Sequence, residues 1–188
     1  MRCSSRSSIE ILTSTYRIQL YTPQQVEFAK PIRSLAFSNS NNYLALGGDE
    51  GILNVLSVRS RTMILNSILS SAITSIAFSK NDERLGVGLE DGIMTLMSPD
   101  SNWESVGEID QNEACISSQD WSSNMLACAR MNGAVTLFDL DKVLDNFFVP
   151  VKEFTSNHPV RSLTFGSNGK LLAIAGDNGI VSILSAQN

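Results

Sequence analysis

Apolar and polar positions along this chain recur in a unit of roughly 40 residues, a period typical of solenoids, propellers and arrays in which no unit buries its apolar face alone. Its copies open Pro31-Ile-Arg-Ser-Leu-Ala-Phe-Ser, Ala72-Ile-Thr-Ser-Ile-Ala-Phe-Ser, Cys115-Ile-Ser-Ser-Gln-Asp-Trp-Ser and Pro159-Val-Arg-Ser-Leu-Thr-Phe-Gly. Their aromatic anchors, Phe37, Phe78, Trp121 and Phe165, are spaced by 41, 43 and 44 residues. Each is followed by a leucine (Leu44, Leu85, Leu126, Leu172) and, always seven residues later, by a glycine (Gly51, Gly92, Gly133, Gly179).

Within each unit the apolar positions alternate with period two, so the segments are expected to be strands. The second strand alternates large with small residues, as in Leu44-Ala-Leu-Gly and Leu85-Gly-Val-Gly. Small residues on one face let a neighbouring sheet approach closely. The dipeptides Glu50-Gly51, Asp91-Gly92, Asn132-Gly133 and Asn178-Gly179 predict two-residue hairpins into a third strand. Asn39-Ser40, Asn81-Asp82 and Asn168-Gly169 mark the preceding turn. A more polar fourth strand is expected near Met63 to Leu69, Trp103 to Ile109 and Phe148 to Phe154. Asp141 to Asn146 is the one stretch read as a possible helical turn. Each unit is therefore a four-stranded antiparallel meander.

An aromatic-Ser turn, a Leu-small-large-small strand, an Asp-Gly-type hairpin and an apolar third strand together resemble the WD-repeat β-propeller pattern, from about Ile9 to Ser185. The repeats are degenerate. The Trp-Asp signature is replaced by Leu56-Ser57, Met97-Ser98, Phe138-Asp139 and Leu184-Ser185, and the Gly-His dipeptide is missing, His158 being the only histidine. The His, Ser/Thr, Asp and Trp network of such blades cannot be assembled, so packing and strand pairing are expected to hold them.

The resemblance implies an all-β propeller of four-stranded antiparallel blades. Its expected organisation is a disordered N-terminus (1–8), a partial blade (9–30), blades at 31–70, 71–113 and 114–157, and a blade at 158–188 lacking its outer strand. Ile11 and Ile18-Gln-Leu-Tyr are expected as second and third strands of the partial blade, with Val26 to Ala29 as its outer strand. Rings of this kind usually hold seven blades, about 280 residues at ~40 per repeat. The chain is thus expected to be a fragment of a larger ring, completed by missing sequence or by another chain.

Composition narrows the function classes. A formal charge of −5 argues against general nucleic-acid binding, which needs a basic field. No apolar run reaches the length of a membrane span. Three cysteines (Cys3, Cys115, Cys128) without metal spacing, and no Asn-x-Ser/Thr site, favour a cytoplasmic or nuclear location. One histidine leaves no triad or transition-metal set, and the inner strands offer hydroxyls (Ser34, Thr74, Ser75, Ser117, Ser162) and little else. No enzyme activity, cofactor or metal is expected.

In the resembling family, the loops before first strands and the second-to-third-strand hairpins share one face, the commonest docking surface. Mapped here, that face carries Asp49, Glu50, Glu90, Asp91, Glu113 and Asp177, with Arg33 and Arg161 beside them. A mostly acidic rim favours a basic protein partner. The expected function is a non-catalytic scaffold for protein–protein interaction within a larger assembly. A regulatory propeller attached to a catalytic domain outside this chain is the alternative, and a propeller hydrolase ranks below both. Gln119 occupies a core position held elsewhere by Leu35, Ile76 and Leu163, so it requires hydrogen-bond partners if buried.

Overall fold

The computed structural model describes residues 7–11, 24–28, 30–110, 114–123, 125–144 and 147–186. At the N-terminal end β1 (Ser7–Ile11) pairs antiparallel with β2 (Gln24–Phe28). The third strand expected at Ile18 to Tyr21 lies outside the described residues, as do residues 1–6 of the expected disordered terminus.

Four sheets follow, each with its strands in chain order. Blade I comprises β3 (Ile32–Phe37), β4 (Tyr43–Gly48), β5 (Ile52–Ser57) and β6 (Thr62–Ile68). Blade II comprises β7 (Ile73–Phe78), β8 (Leu85–Leu89), β9 (Ile93–Met97) and β10 (Ser105–Asp110). Blade III comprises β11 (Ile116–Ser122), β12 (Met125–Arg130), β13 (Ala134–Leu144) and β14 (Phe147–Thr155). Blade IV has three strands, β15 (Val160–Phe165), β16 (Leu171–Gly176) and β17 (Val181–Ser185).

The blades stack through their faces. Ala45, Leu53 and Val55 of blade I bury against Ile73, Ile76, Phe78, Leu85 and Val87 of blade II. Met94 and Leu96 of blade II meet Ile116, Trp121, Leu126, Cys128 and Phe138 of blade III. Ala127, Ala129, Val135 and Leu137 of blade III meet Val160, Leu163, Phe165, Leu172 and Ile174 of blade IV. The alternation of large and small residues explains the spacing. A Cβ on Gly47 would stand 2.5 Å from Ile73 Cγ2, and one on Gly88 would stand 2.6 Å from Ile116 Cγ2. Neither distance is possible between real carbon atoms, so the next blade's first strand occupies the room that the missing side chain leaves.

Three local expectations change. Only blade I carries positive φ on both hairpin residues, Glu50 (61°) and Gly51 (72°). In blades II to IV glycine alone is left-handed (Gly92 92°, Gly133 92°, Gly179 70°). There the preceding Asp91, Asn132 and Asn178 instead turn their side-chain oxygens onto the N–H of Ile93, Ala134 and Ile180, at 3.1, 3.0 and 3.0 Å. These are loops of an Asx turn followed by glycine rather than two-residue hairpins, because a short acceptor side chain satisfies the turn without a second strained residue.

Trp103 does not begin a strand. It follows the 3-10 turn Pro99–Ser101 at φ 65° and buries its ring edge-on to Tyr43 of blade I, with centroids 5.0 Å apart. Residues 141–144 extend β13 instead of forming a helical turn, and Val143 and Leu144 pair with Phe148 and Phe147. Branched and aromatic residues on both arms favour the ladder over an isolated turn.

Two outcomes follow from this packing. Gly88→Ala forces the Ile116 side chain aside and destabilises the chain by about 1–3 kcal/mol, seen as a lower urea midpoint at unchanged slope. The Cys128 thiol is fully buried and pushed up to about 12 by that burial. It is therefore expected to resist alkylation at neutral pH until the protein unfolds, which a time course of iodoacetamide labelling in increasing denaturant checks.

Candidate partner-binding face

Every first strand breaks register at its second residue: between Ile32 and Ser34, Ile73 and Ser75, Ile116 and Ser118, and Val160 and Ser162. Such a bulge re-aims the side chain it carries. In blades II and III that residue is a hydroxyl facing the next blade. Thr74 Oγ1 lies 2.5 Å from the Ile116 carbonyl, and Ser117 Oγ lies 2.5 Å from the Val160 carbonyl. In blades I and IV the same position holds Arg33 and Arg161, and both reach the hairpin acids.

The hairpins and the loops that enter the first strands lie together at one end of the blades. Leu69 N–H donates to the Gly51 carbonyl and Ser156 N–H to the Gly133 carbonyl, each at 2.9 Å. On this end Arg33 Nε stands 2.5 Å from Asp49 and its Nη1 3.2 Å from Glu90 of the next blade. Lys30 pairs with Glu50 at 2.5 Å, and this carboxylate raises the lysine ammonium above its ordinary value. Arg161 grips Asp177 through two bonds of 2.7 and 2.8 Å and turns Nη1 toward Met131 Sδ of blade III. That guanidinium holds the Asp177 carboxyl below its ordinary value. Asp91 accepts from Ser70 Oγ at 3.0 Å.

The structure thus brings all seven expected residues (Asp49, Glu50, Glu90, Asp91, Asp177, Arg33, Arg161) to one end of the array, while Glu113 lies outside the described residues. The rim is not a bare acidic field. Four of its five described carboxylates are ion-paired, Glu50 with Lys30, Asp49 and Glu90 with Arg33, the latter across two blades, and Asp177 with Arg161, while Asp91 accepts from the Ser70 hydroxyl. Exposed pairs of this kind stabilise little. They do fix where the charges sit.

Sequence reasoning missed the polar ties between blades. Ser34 Oγ accepts the Ile76 N–H at 3.0 Å, and Ser118 Oγ accepts the Leu163 N–H at 3.2 Å. Gln119 takes the place of this tie between blades II and III. It is buried, and its Nε2 donates to the carbonyls of Ser75 and Gly86 at 3.0 and 2.9 Å. Trp121 Nε1 donates to the Ala77 carbonyl at 3.2 Å. At the opposite end from the hairpins, Asp82 accepts the N–H groups of Asn39 and Ser40 at 2.6 and 2.7 Å. Asp120 accepts the Phe165 N–H at 2.7 Å and the Thr164 hydroxyl at 2.9 Å. Packing and strand pairing were expected to hold the blades, and hydrogen bonds between neighbouring blades are added to them. A polar ladder runs between them in place of the network within each blade. Its signal in the sequence is the run of Ser and Thr on the first strands.

Among the described residues no group of three or more His, Cys, Asp or Glu could hold a metal ion, and no helix is long and apolar enough to cross a membrane. His158 is exposed and its N–H donates to Ser156 Oγ at 3.2 Å.

Antiparallel meanders stacked face to face define the class: the chain is a β-propeller. More particularly, residues 148–184 match the family model described as WD domain, G-beta repeat. The matched stretch begins on β14, the outer strand of blade III, and ends on β17 of blade IV, so one sequence repeat spans two blades. Among solved structures, a chain of "Crystal Structure of Mitotic Checkpoint Complex" matches at TM-score 0.72 and 21% identity, covering 84% of this chain and 49% of that one. The chain therefore spans about half the length of that relative. "Crystal structure of the computationally designed Ika4 protein" matches at TM-score 0.72 and 16% identity, covering 84% of this chain and 92% of that one. At these identities the likeness is one of fold. No curated protein matches the sequence.

The clamp at Asp82 gives a further test. Burial alone would raise its carboxyl, but the bonds from Ser40 and Asn39 outweigh burial and hold it below the ordinary value of 3.8. The stabilisation is therefore complete above the ordinary aspartate range and is lost as pH falls through the lower, folded value. Asp82→Ala is expected to cost about 2 kcal/mol at pH 7. In urea titrations the gap between variant and wild type should close as pH drops toward 2.

Proposed function

We propose that this chain is a non-catalytic scaffold whose hairpin face docks a protein partner within a larger assembly. The observation that carries this reading is the division of labour at the bulge position. In the two middle blades its hydroxyls are committed to neighbouring backbone carbonyls. In the two end blades its arginines hold charged side chains in fixed places on one surface. Hydroxyls bonded in this way are not free to act as nucleophiles or ligands in a channel. The fixed charges of the hairpin face offer a pattern that a partner can match.

Among the described residues of that face, five carboxylates stand against three cations (Lys30, Arg33, Arg161), which supports a partner with basic groups placed to complement it. WD40 propellers are usually non-catalytic. The matched chain of the mitotic checkpoint complex is a member of an assembly, which agrees with a role of this kind. An intracellular location, cytoplasmic or nuclear, belongs to the same proposal.

Charge reversal tests it. Asp49→Lys, Asp91→Lys and Asp177→Lys are made singly and compared with wild type in quantitative pull-downs at low and high salt. The expected result is one protein retained by wild type and reduced at least about tenfold by each reversal, with salt weakening wild-type binding most. An unchanged set of retained proteins at equal folded amounts would overturn the assignment of this face.

A further inference from the structure

All four blades build their hairpin ends on one frame, and blade III fills that frame differently. In each blade the residue after the second strand donates its N–H to the carbonyl of the residue just before the first strand. Asp49 donates to Pro31 at 3.3 Å, Glu90 to Ala72 at 2.9 Å, Met131 to Cys115 at 3.1 Å and Asp177 to Pro159 at 3.3 Å. Three of these pairs join an acid to proline or alanine. The pair in blade III joins two sulfur-bearing residues.

The matching positions around that pair are also without charge. Where blades I and IV carry Arg33 and Arg161 at the bulge, blade III has Ser117, committed to the Val160 carbonyl. Where blades I and II carry Glu50 and Asp91, it has Asn132, whose side-chain oxygen is turned onto the Ala134 N–H. Burial pushes the Cys115 thiol above its ordinary value, so it stays neutral at pH 7 and behaves as a small hydrophobe. Met131 and Cys115 are both half-buried. The Arg161 guanidinium, with Nη1 3.4 Å from Met131 Sδ, holds the thioether from the blade IV side.

This uncharged spot lies inside a rim of placed charge. Blade II flanks it with Glu90, held by Arg33 at 3.2 Å, and with Asp91, which accepts from the Ser70 hydroxyl. Blade IV flanks it with the Arg161–Asp177 pair. Interfaces between proteins share this anatomy: an anchor side chain seated on an uncharged centre, ringed by polar contacts that keep water out. Methionine suits such a centre, because its unbranched thioether adapts to the occupant and makes favourable contact with aromatic rings.

We propose, on the reading that the hairpin face docks a protein, that the partner seats one large apolar side chain, aromatic by preference, on Met131 and Cys115 and pairs a nearby lysine or arginine with Asp91. The anchor sits between blades II and IV, well inside the array. The basic group goes to Asp91 because, among the described residues, no cation holds that carboxylate.

Selection from a displayed library of random short peptides on the wild-type chain, followed by anisotropy titration of the enriched peptides, tests this. Enriched sequences should share a Phe, Trp, Leu or Met with a Lys or Arg close by. Met131→Asp should weaken those peptides at least about tenfold, the loss that marks an anchor contact. Blades I and IV carry aspartate at this position, so that variant should fold with an unchanged melting midpoint. Met131→Leu should bind as wild type does. Asp91→Asn keeps the side-chain oxygen of its turn and should weaken binding, more at low salt than at high. Equal binding to wild type and Met131→Asp would overturn the proposal. So would a selection that enriches no apolar anchor, loss of binding in Met131→Leu, or an Asp91→Asn variant without effect. The hairpin-face reading fails separately: if the three charge reversals deplete the retained protein and Met131→Asp does not, the face stands and the anchor falls.

Discussion

Everything in this molecule depends on how closely one first strand can approach the sheet before it. The row of small residues on the second strand (Ala45 and Gly47, Gly86 and Gly88, Ala127 and Ala129) removes side-chain bulk on the side that meets the next blade. Once two sheets are that close, a serine or threonine hydroxyl is long enough to reach a neighbouring carbonyl or N–H. The apolar contacts and the polar ladder are therefore one device: the first sets the distance that the second needs. A larger residue in that row would cost packing and also unmake the hydrogen bonds beside it, leaving buried polar groups without partners.

The architecture was legible because it is written in periods. A fixed offset from leucine to glycine and a strict alternation survive substitution of nearly every signature residue, since they encode which side of a strand faces a neighbour. The hairpin face was legible for a similar reason, as hairpins recur at fixed places in each repeat. What could not be read was anything needing two repeats at once. Asp82 is an ordinary turn residue in its own copy, and its meaning lies in the Asn39 and Ser40 amides of the copy before. Gln119 announced a need for hydrogen-bond partners in the core, but its own repeat does not say which. It is a substitute tie, whose amide reaches two carbonyls of the preceding blade. Trp103 sat where a strand was expected because an apolar residue there matches the alternation. Its left-handed backbone and its contact with Tyr43 depend on a turn that periodicity does not describe.

Likeness of fold leaves function open, because propellers of this kind host many unrelated roles. What singles out this chain is where its charges go. Arginine at the bulge replaces the hydroxyl at the first and last blades only, and it draws acids of the hairpins into pairs rather than leaving them as a diffuse field. A paired surface attracts less at long range and discriminates more at contact, because any partner must match a fixed arrangement of both signs. Such a face suits selective docking better than nonspecific capture.

The offset between repeat and blade has a mechanical outcome. The stretch 148–184 places its opening strand in one sheet and its remaining three in the next, like an overlapping roof tile. Pulling one tile free strips an edge from its neighbour, so no single sheet can open without loosening the one beside it. Independent flickering of modules is suppressed, and the array is built to lose its order as a connected whole.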